Sequence, residues 1–258
     1  MPSSPPVQRL FDIDFCALTL DDATRLLSTL ARAPGPGAKV VVTPNVDHLV
    51  RLDDQPEFRA RYVQADLFFA DGMPLVWASR WLGRPLPERV TGSDLFVRLC
   101  QQAARHAMPV VIVGGTPGQE AGLEAAFARH YPGLPLTVIA PAMGFDPQGD
   151  EARHIAARVR ELRPDLIFVC LGMPRQEHWA LNFAPTFDHG VALCVGAAME
   201  FAIGLRQRAP KWVQRIGAEW LWRLLSDPRR LWRRYLVEDR KFAGILWREW
   251  RARGSARR

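Results

Sequence analysis

The chain has little of what usually marks a protein class at first sight. Its 258 residues hold four cysteines, Cys16, Cys100, Cys170 and Cys194, and no Cys-x-x-Cys pair. That argues against a disulfide framework, and the apolar runs around most of the four suit buried free thiols in a reducing compartment. No stretch approaches the run of about 18 apolar residues that a membrane-spanning helix needs. The N-terminus has no basic segment leading into an apolar run, so a signal peptide is not expected. There is no Gly-x-Gly-x-x-Gly spacing, which weakens a dinucleotide reading, and no Gly-x-Ser-x-Gly elbow. His48, His106 and His178 form no spaced cluster, so each reads as a packed or surface histidine rather than a zinc ligand. Asp12-Ile13-Asp14 has the spacing of a carboxylate pair, but strand alternation would put both on one solvent face.

Charge is plentiful but uneven. The net charge is +7, and residues 206–258 alone hold 16 Lys/Arg against 5 Asp/Glu, while residues 1–205 are slightly acidic. Six of the nine tryptophans lie in the same tail. Arginine and tryptophan together suit a phosphate-bearing partner, either a membrane surface or a nucleic acid. A hydrophobic content of 48% over this length supports one large core.

Up to about residue 200, short apolar strands alternate with helical stretches across glycine or proline turns. Lys39–Thr43, Leu67–Ala70, Pro109–Val113, Leu136–Ala140, Asp165–Cys170 and Val191–Val195 read as buried strands. This alternation predicts an α/β fold, a Rossmann-like and mostly parallel sheet with helices on both faces. From Arg206 no further strand is expected. Residues 211–225 and 228–250 read as two amphipathic helices, with Asp227 as N-cap and Pro228 at the first helical position. The chain thus divides into a Rossmann-like core, 1–205, and a basic, Trp-rich helical appendage, 206–258.

The stretch Leu67-Phe68-Phe69-Ala70-Asp71-Gly72-Met73-Pro74 organises the rest. An apolar strand ends in one carboxylate, a glycine turns the chain, and Pro74 suits the first turn of a helix. Asp71 therefore falls at the C-terminal end of a strand, the edge where open α/β sheets hold ligands. It is either a general base or the cap of the following helix. Thr43, Asn45, Gln176 and Glu200 fall on the same rim, and the convergence is more informative than any single member. Gly114-Gly115-Thr116-Pro117-Gly118 is either a phosphate-cradling turn or a plain strand-to-helix turn.

A set of short motifs resembles those of a known family. They are Thr43-Pro44-Asn45 with His48-Leu49, Ala70-Asp71-Gly72, Arg89-Val90-Thr91-Gly92, Gly114-Gly115, Gly172-Met173-Pro174 with Gln176-Glu177, and Arg208-Ala209-Pro210. Glu219-Trp220-Leu221, Arg223-Leu224, Pro228-Arg229-Arg230 and Arg233-Arg234-Tyr235 complete the set. Over roughly residues 10–245 the chain resembles the WecG/TagA/CpsF glycosyltransferases, glycosyltransferase family 26. The resemblance implies transfer of a hexose or N-acetylhexosamine-type sugar from a UDP-sugar to a polyprenyl-diphosphate-linked sugar, with inversion and without a metal or other cofactor. It implies cell-surface polysaccharide synthesis by a cytoplasmic, peripheral protein on the inner face of the membrane, and self-association.

It further implies that Asp71 is the general base and that Thr43 and Asn45 are active-site polar groups. By the same resemblance, Arg89, Gly114, Gly144, Phe145, Gln176 and Glu200 contact substrate, and Arg223, Arg230 and Arg233 close over the diphosphate. Where the family usually has Phe-Asp, this chain has Met199-Glu200, a carboxylate one methylene longer, which bears on the nucleotide contact and on donor choice. The competing readings are a nicotinamide oxidoreductase on the same fold class and an RNA-binding protein using the basic tail, against the expectation of no nucleic-acid partner.

Overall fold

A computed structural model describes residues 4–205, 209, 210, 213 and 217–255. The side chains of residues 223, 230, 234, 236 and 253–255 lie outside that description. The chain opens with a hairpin, β1 (Val7–Leu10) and β2 (Ile13–Cys16), turned by Phe11 and Asp12, both at positive φ. There follow α1 (Leu20–Arg32), β3 (Lys39–Val42), α2 (Val46–Asp54), α3 (Pro56–Tyr62), β4 (Leu67–Phe68), α4 (Met73–Trp81) and α5 (Gly92–His106). Then come β5 (Val110–Gly114), α6 (Glu120–His130), β6 (Leu136–Ile139), α7 (Asp150–Leu162), β7 (Leu166–Cys170), α8 (Arg175–Phe183), β8 (Val191–Cys194) and α9 (Ala198–Ala202). The tail supplies α10 (Glu219–Ser226), α11 (Pro228–Arg233) and α12 (Lys241–Ser255).

Local chemistry sets the boundaries. Thr19 and Thr91 cap α1 and α5 by accepting from the amides three residues on. Between Asn45 and Val63 the chain forms two helices, α2 and α3, because Gln55 precedes Pro56 and leaves the helical region at φ −131°, ψ 78°.

The eight strands form one sheet in the order β1-β2-β4-β3-β8-β7-β5-β6, antiparallel only between β1 and β2. Alternation splits the strand residues between two cores. Val40, Val42, Val111, Val113, Ile167 and Val169 face one cluster with Leu49, Phe58, Ile155 and Trp179. Val41, Ile112, Phe168 and Leu193 face the other with Leu27, Leu99 and Phe127. A sheet covered on both faces needs such continuous apolar strands. The expected Rossmann-like architecture is what the chain adopts.

The appendage differs in detail from the sequence reading. Of the helix expected over 211–225, residues 211, 212 and 214–216 lie outside the described residues. The single helix expected over 228–250 is broken: Arg234–Glu238 widens into a π-turn, and α12 restarts at Lys241. That break re-aims α12 so that its apolar stripe faces the core. Ile245 is buried in the first cluster, with Phe242 and Leu246 packed against it. Lys241 and Arg248 bond Asp54 and Asp53 at the end of α2. Ile245→Ala is expected to cost about 2 kcal/mol, the low end for truncating a buried isoleucine. Urea unfolding of the full chain measures it, and an unchanged midpoint would mean that α12 does not share the core.

Candidate active site

Four adjacent parallel strands, β4-β3-β8-β7, end at one edge, and the site is built from the residues just past each strand end. After β3, Thr43 is buried and Asn45 caps α2, its side-chain oxygen accepting from the His48 amide at 3.2 Å. After β4, the Asp71 amide donates to the Pro44 carbonyl at 2.9 Å, which ties the two strand exits together. The cap position of α4 is Gly72, at φ +136°, a conformation that only glycine adopts readily, and Pro74 follows in the first turn. Asp71 therefore stands ahead of the cap and does not occupy it. Its Oδ2 accepts a long bond, 3.4 Å, from the Gly92 amide. A Cβ on Gly92 would come within 2.8 Å of the Thr43 hydroxyl, so the close approach of α5 to β3 needs glycine there.

After β7 and β8, two neighbouring residues of α8 form a chain of bonds. The Gly196 amide donates to Gln176 Oε1 at 2.9 Å, and Gln176 Nε2 donates to Glu177 Oε1 at 2.7 Å. Glu177 is fully buried, and its Oε2 has no partner among the described residues. Burial pushes its carboxyl up to about 7; the bond from Gln176, its own amide and the Arg51 guanidinium pull the other way.

These exits enclose a cleft of about 780 Å³. It is lined from the core by Thr43, Asn45, Asp47, Arg51, Asp71, Ser93, Gln176 and Gly196, and from the appendage by Glu219, Trp222, Asp227 and Tyr235. That size is within the range of small-molecule sites, and its concentration of polar groups at strand ends is that of open α/β enzymes. A smaller hollow of about 300 Å³ adjoins it, sharing Asn45, Asp71, Glu219 and Tyr235 and adding Arg89. Arg89 reaches across to the appendage, donating to Glu219 at 2.7 Å and lying 3.7 Å from Asp94.

Of the residues singled out from the sequence, Thr43, Asn45, Asp71 and Gln176 meet in the cleft, with Arg89 beside it. Others do not line it. Gly114 ends β5 at φ +149°, where an added Cβ would lie 2.7 Å from that of Cys170, so close strand packing demands it. Gly144 sits in an open loop at φ +84°, and Phe145 is buried in the core. Glu200 lies on α9 near the part-buried Cys170, whose thiol pKa is pushed up to about 12 by desolvation first, with a smaller contribution from the Glu200 carboxylate. Arg233 is exposed, with Glu238 at 3.5 Å. The side chains of Arg223 and Arg230 lie outside the described residues.

Sequence reasoning passed over Asp47, Arg51 and Ser93. The first two form an i,i+4 pair, Arg51 Nε to Asp47 Oδ2 at 3.1 Å, on the helix that Asn45 caps. A polar pair on the first turns after a strand end was the signal available. Among the described residues no three His, Cys, Asp or Glu side chains converge as a metal set.

The family model for the glycosyl transferase WecG/TagA/CpsF family matches residues 8–256. The chain belongs to this family. A curated relative from Bacillus spizizenii, the N-acetylglucosaminyldiphosphoundecaprenol N-acetyl-beta-D-mannosaminyltransferase, is 29% identical over 234 residues, 91% of this chain and 88% of its own length. The protein is therefore a glycosyltransferase, which displaces the oxidoreductase and RNA-binding readings.

The buried Glu177 gives a stability test. Its folded pKa of about 7 exceeds the ordinary value of 4.5. Between those values the native state keeps a proton that the unfolded chain has released. The stability contributed by the neutral acid is thus fully present below about 4.5 and is lost as pH rises through 7. Glu177→Gln cannot ionise. It is expected to match the parent near pH 5 and to exceed it at pH 8 by on the order of 2–3 kcal/mol. Denaturant melts at the two pH values decide, and a variant less stable than the parent at pH 8 would contradict this.

Proposed function

We propose that this glycosyltransferase moves a hexose or N-acetylhexosamine-type sugar from a UDP-sugar to a polyprenyl-diphosphate-linked sugar. Transfer proceeds with inversion and without a divalent cation. The observation that carries this is the placement of Asp71 in a polar cleft at the strand ends, ahead of the cap of α4, together with Thr43, Asn45 and Gln176. The relative's name supports the class of sugar moved and the class of acceptor, since it names an N-acetyl-beta-D-mannosaminyltransferase acting on N-acetylglucosaminyldiphosphoundecaprenol.

In the proposed step the Asp71 carboxylate takes the acceptor hydroxyl's proton as that oxygen attacks the anomeric carbon. The bond to the UDP oxygen breaks on the opposite face, and UDP leaves with the electron pair. Thr43, Asn45 and Gln176 orient the sugar. The leaving diphosphate gains negative charge, which arginine can meet bidentately. Arg223, Arg230 and Arg233 of the appendage are the proposed source, with Arg89, Gly144 and Glu200 as further substrate contacts. The longer carboxylate of Glu200 would adjust donor choice. Asp71→Asn is expected to lower turnover by about 10²–10⁴ while leaving UDP affinity within a few-fold. Transfer of radiolabelled sugar by the parent is expected to survive EDTA. A variant with most of its activity would remove Asp71 as base, and loss on chelation restored by magnesium would remove the metal-free mechanism.

Place of action is part of the proposal. No helix among the described residues is long and apolar enough to cross a membrane. We assign residues 1–205 as the catalytic core and 206–258 as an appendage that completes the cleft and, together with α4, attaches the protein at the inner membrane face. The support is a platform of half-exposed tryptophans, Trp77 and Trp81 on α4 with Trp247 and Trp250 on α12. Trp81 stacks on Trp250 at 6.0 Å and Trp247 on Trp250 at 5.0 Å, and exposed Arg80 and Arg251 flank them. Aromatic rings beside cations match an interface of acyl chains and anionic headgroups. Because α4 begins just after Asp71, lipid bound there would sit close to the cleft. The chain is expected to float with anionic liposomes, and Trp81→Ser with Trp250→Ser to weaken that by about ten-fold or more, given the ring area lost. Equal flotation of the double variant would end the assignment.

A further inference from the structure

Glu177 is a costly residue to keep. A carboxyl at 0% exposure with one oxygen lacking a partner among the described residues loses hydration that its single side-chain bond does not restore. Neither protonation state is comfortable there. An ionised group leaves a bare lone-pair oxygen in the core, and a proton on Oε2 leaves an unsatisfied donor. A proton on Oε1 would confront the Gln176 amide, whose orientation is already determined. The Gly196 amide is a donor only, so Gln176 must present its carbonyl oxygen to Gly196 and its nitrogen to Glu177. Gln176 and Gly196 both line the cleft, whereas Glu177 lies behind them. The carboxylate therefore reaches the cleft only through Gln176.

We propose that Glu177 is a positioning residue: as a carboxylate it locks the Gln176 amide against Gly196, and so shapes the wall of the cleft at the β8 exit. Held this way, Gln176 keeps its second amide proton available to a ligand. A proton on Glu177 Oε2 turns Oε1 from a carboxylate oxygen into a neutral carbonyl, which weakens the charge-assisted bond from Gln176 Nε2 and so loosens the Gln176 amide and its hold on the Gly196 amide. Cleft geometry is thereby coupled to pH near neutrality, in the range where burial places this carboxyl.

The neighbours leave Glu177 as the group to follow. Tyr62 of α3 and Cys194 of β8 face it, and burial raises both well above their ordinary values, so they stay neutral near pH 7. Arg51 of α2 remains charged and is paired with Asp47. His178, next along α8, has its pKa lowered by burial and by Arg61, away from neutrality. His48 bonds the Tyr62 hydroxyl at 3.0 Å and is common to the parent and to each variant used in the test.

The test reads Gly196 directly. Val-Gly occurs twice in the chain, at Val113-Gly114 and Val195-Gly196. Labelling valine carbonyls with ¹³C and glycine with ¹⁵N thus yields two correlation peaks, one of them a control at the β5 exit. In the parent the Val195-Gly196 peak is expected to shift between pH 6 and 8 with a midpoint near 7, and the control to stay still. In Glu177→Gln the shift should vanish. If that variant does not fold, Gln176→Ala replaces it: Glu177 then still titrates, but the Gly196 peak should no longer follow. A kinetic arm rests on the transferase reading. The ratio of parent to Glu177→Gln kcat/KM should rise about ten-fold from pH 6 to 8, as one carboxyl ionises. A purely structural role would change melting behaviour and leave that ratio flat. A parent Gly196 peak that does not move, one that moves equally in either variant, or a flat ratio would overturn the proposal. Failure of every UDP-sugar to react would instead undo the substrate reading, and the Gly196 titration would still decide the role of Glu177.

Discussion

The parallel pairing of β3 with β4 on one side and β8 on the other is the constraint on which the site depends. Parallel strands all end at the same edge, so their exits are forced together whatever their order in the chain. Thr43 and Asp71 are 28 positions apart, yet Val42 pairs with Phe68, and the bond from the Asp71 amide to the Pro44 carbonyl sets the spacing of the two exits. Cys194 pairs with Val42 on the other side, which brings Gly196 to the same rim. The cleft is a consequence of sheet topology before any side chain contributes chemistry.

The polar groups around the cleft are held in two ways. Asn45 and Thr91 accept from backbone amides at helix starts, which fixes their rotamers at modest energetic cost. Arg89 with Glu219 is a charged pair taken largely out of water, and Glu177 is a carboxyl buried against the neutral Gln176 amide. Such arrangements are weak contributors to stability, and losing one partner is far more costly than never having had the pair. The Arg89–Glu219 bond also crosses between core and appendage, so the cleft's two halves are joined by a charge-assisted contact at 2.7 Å. The same bond means that Arg89 enters the site already engaged.

The appendage is both a wall of the cleft and a surface. α10 and the segment before α12 supply Glu219, Trp222 and Tyr235 to the cleft, while α12 lays Ile245 into the core and leaves Trp247 and Trp250 outward. Composition alone marked this region as basic and aromatic. It could not divide the tryptophans between packing and exposure, because helical spacing serves either use until a partner face is known.

The alternation of apolar runs with glycine and proline turns was enough to establish the α/β class, since a doubly covered sheet leaves continuous hydrophobic strands in the sequence. The rim position of Asp71 was equally legible, because an apolar strand that ends in Asp-Gly must place its carboxylate at a strand end. Whether Asp71 caps α4 was not legible; it depends on the positive φ of Gly72, a backbone choice that two readings of the same residues allow. Gly114 and Phe145, read from family motifs as substrate contacts, lie away from the cleft, since a motif records that a residue is needed and not whether packing or binding needs it. The Glu177–Gln176–Gly196 chain and the Arg89–Glu219 bond, which spans 130 positions, come from tertiary structure alone. Each joins elements that only the folded sheet brings within a hydrogen bond's reach.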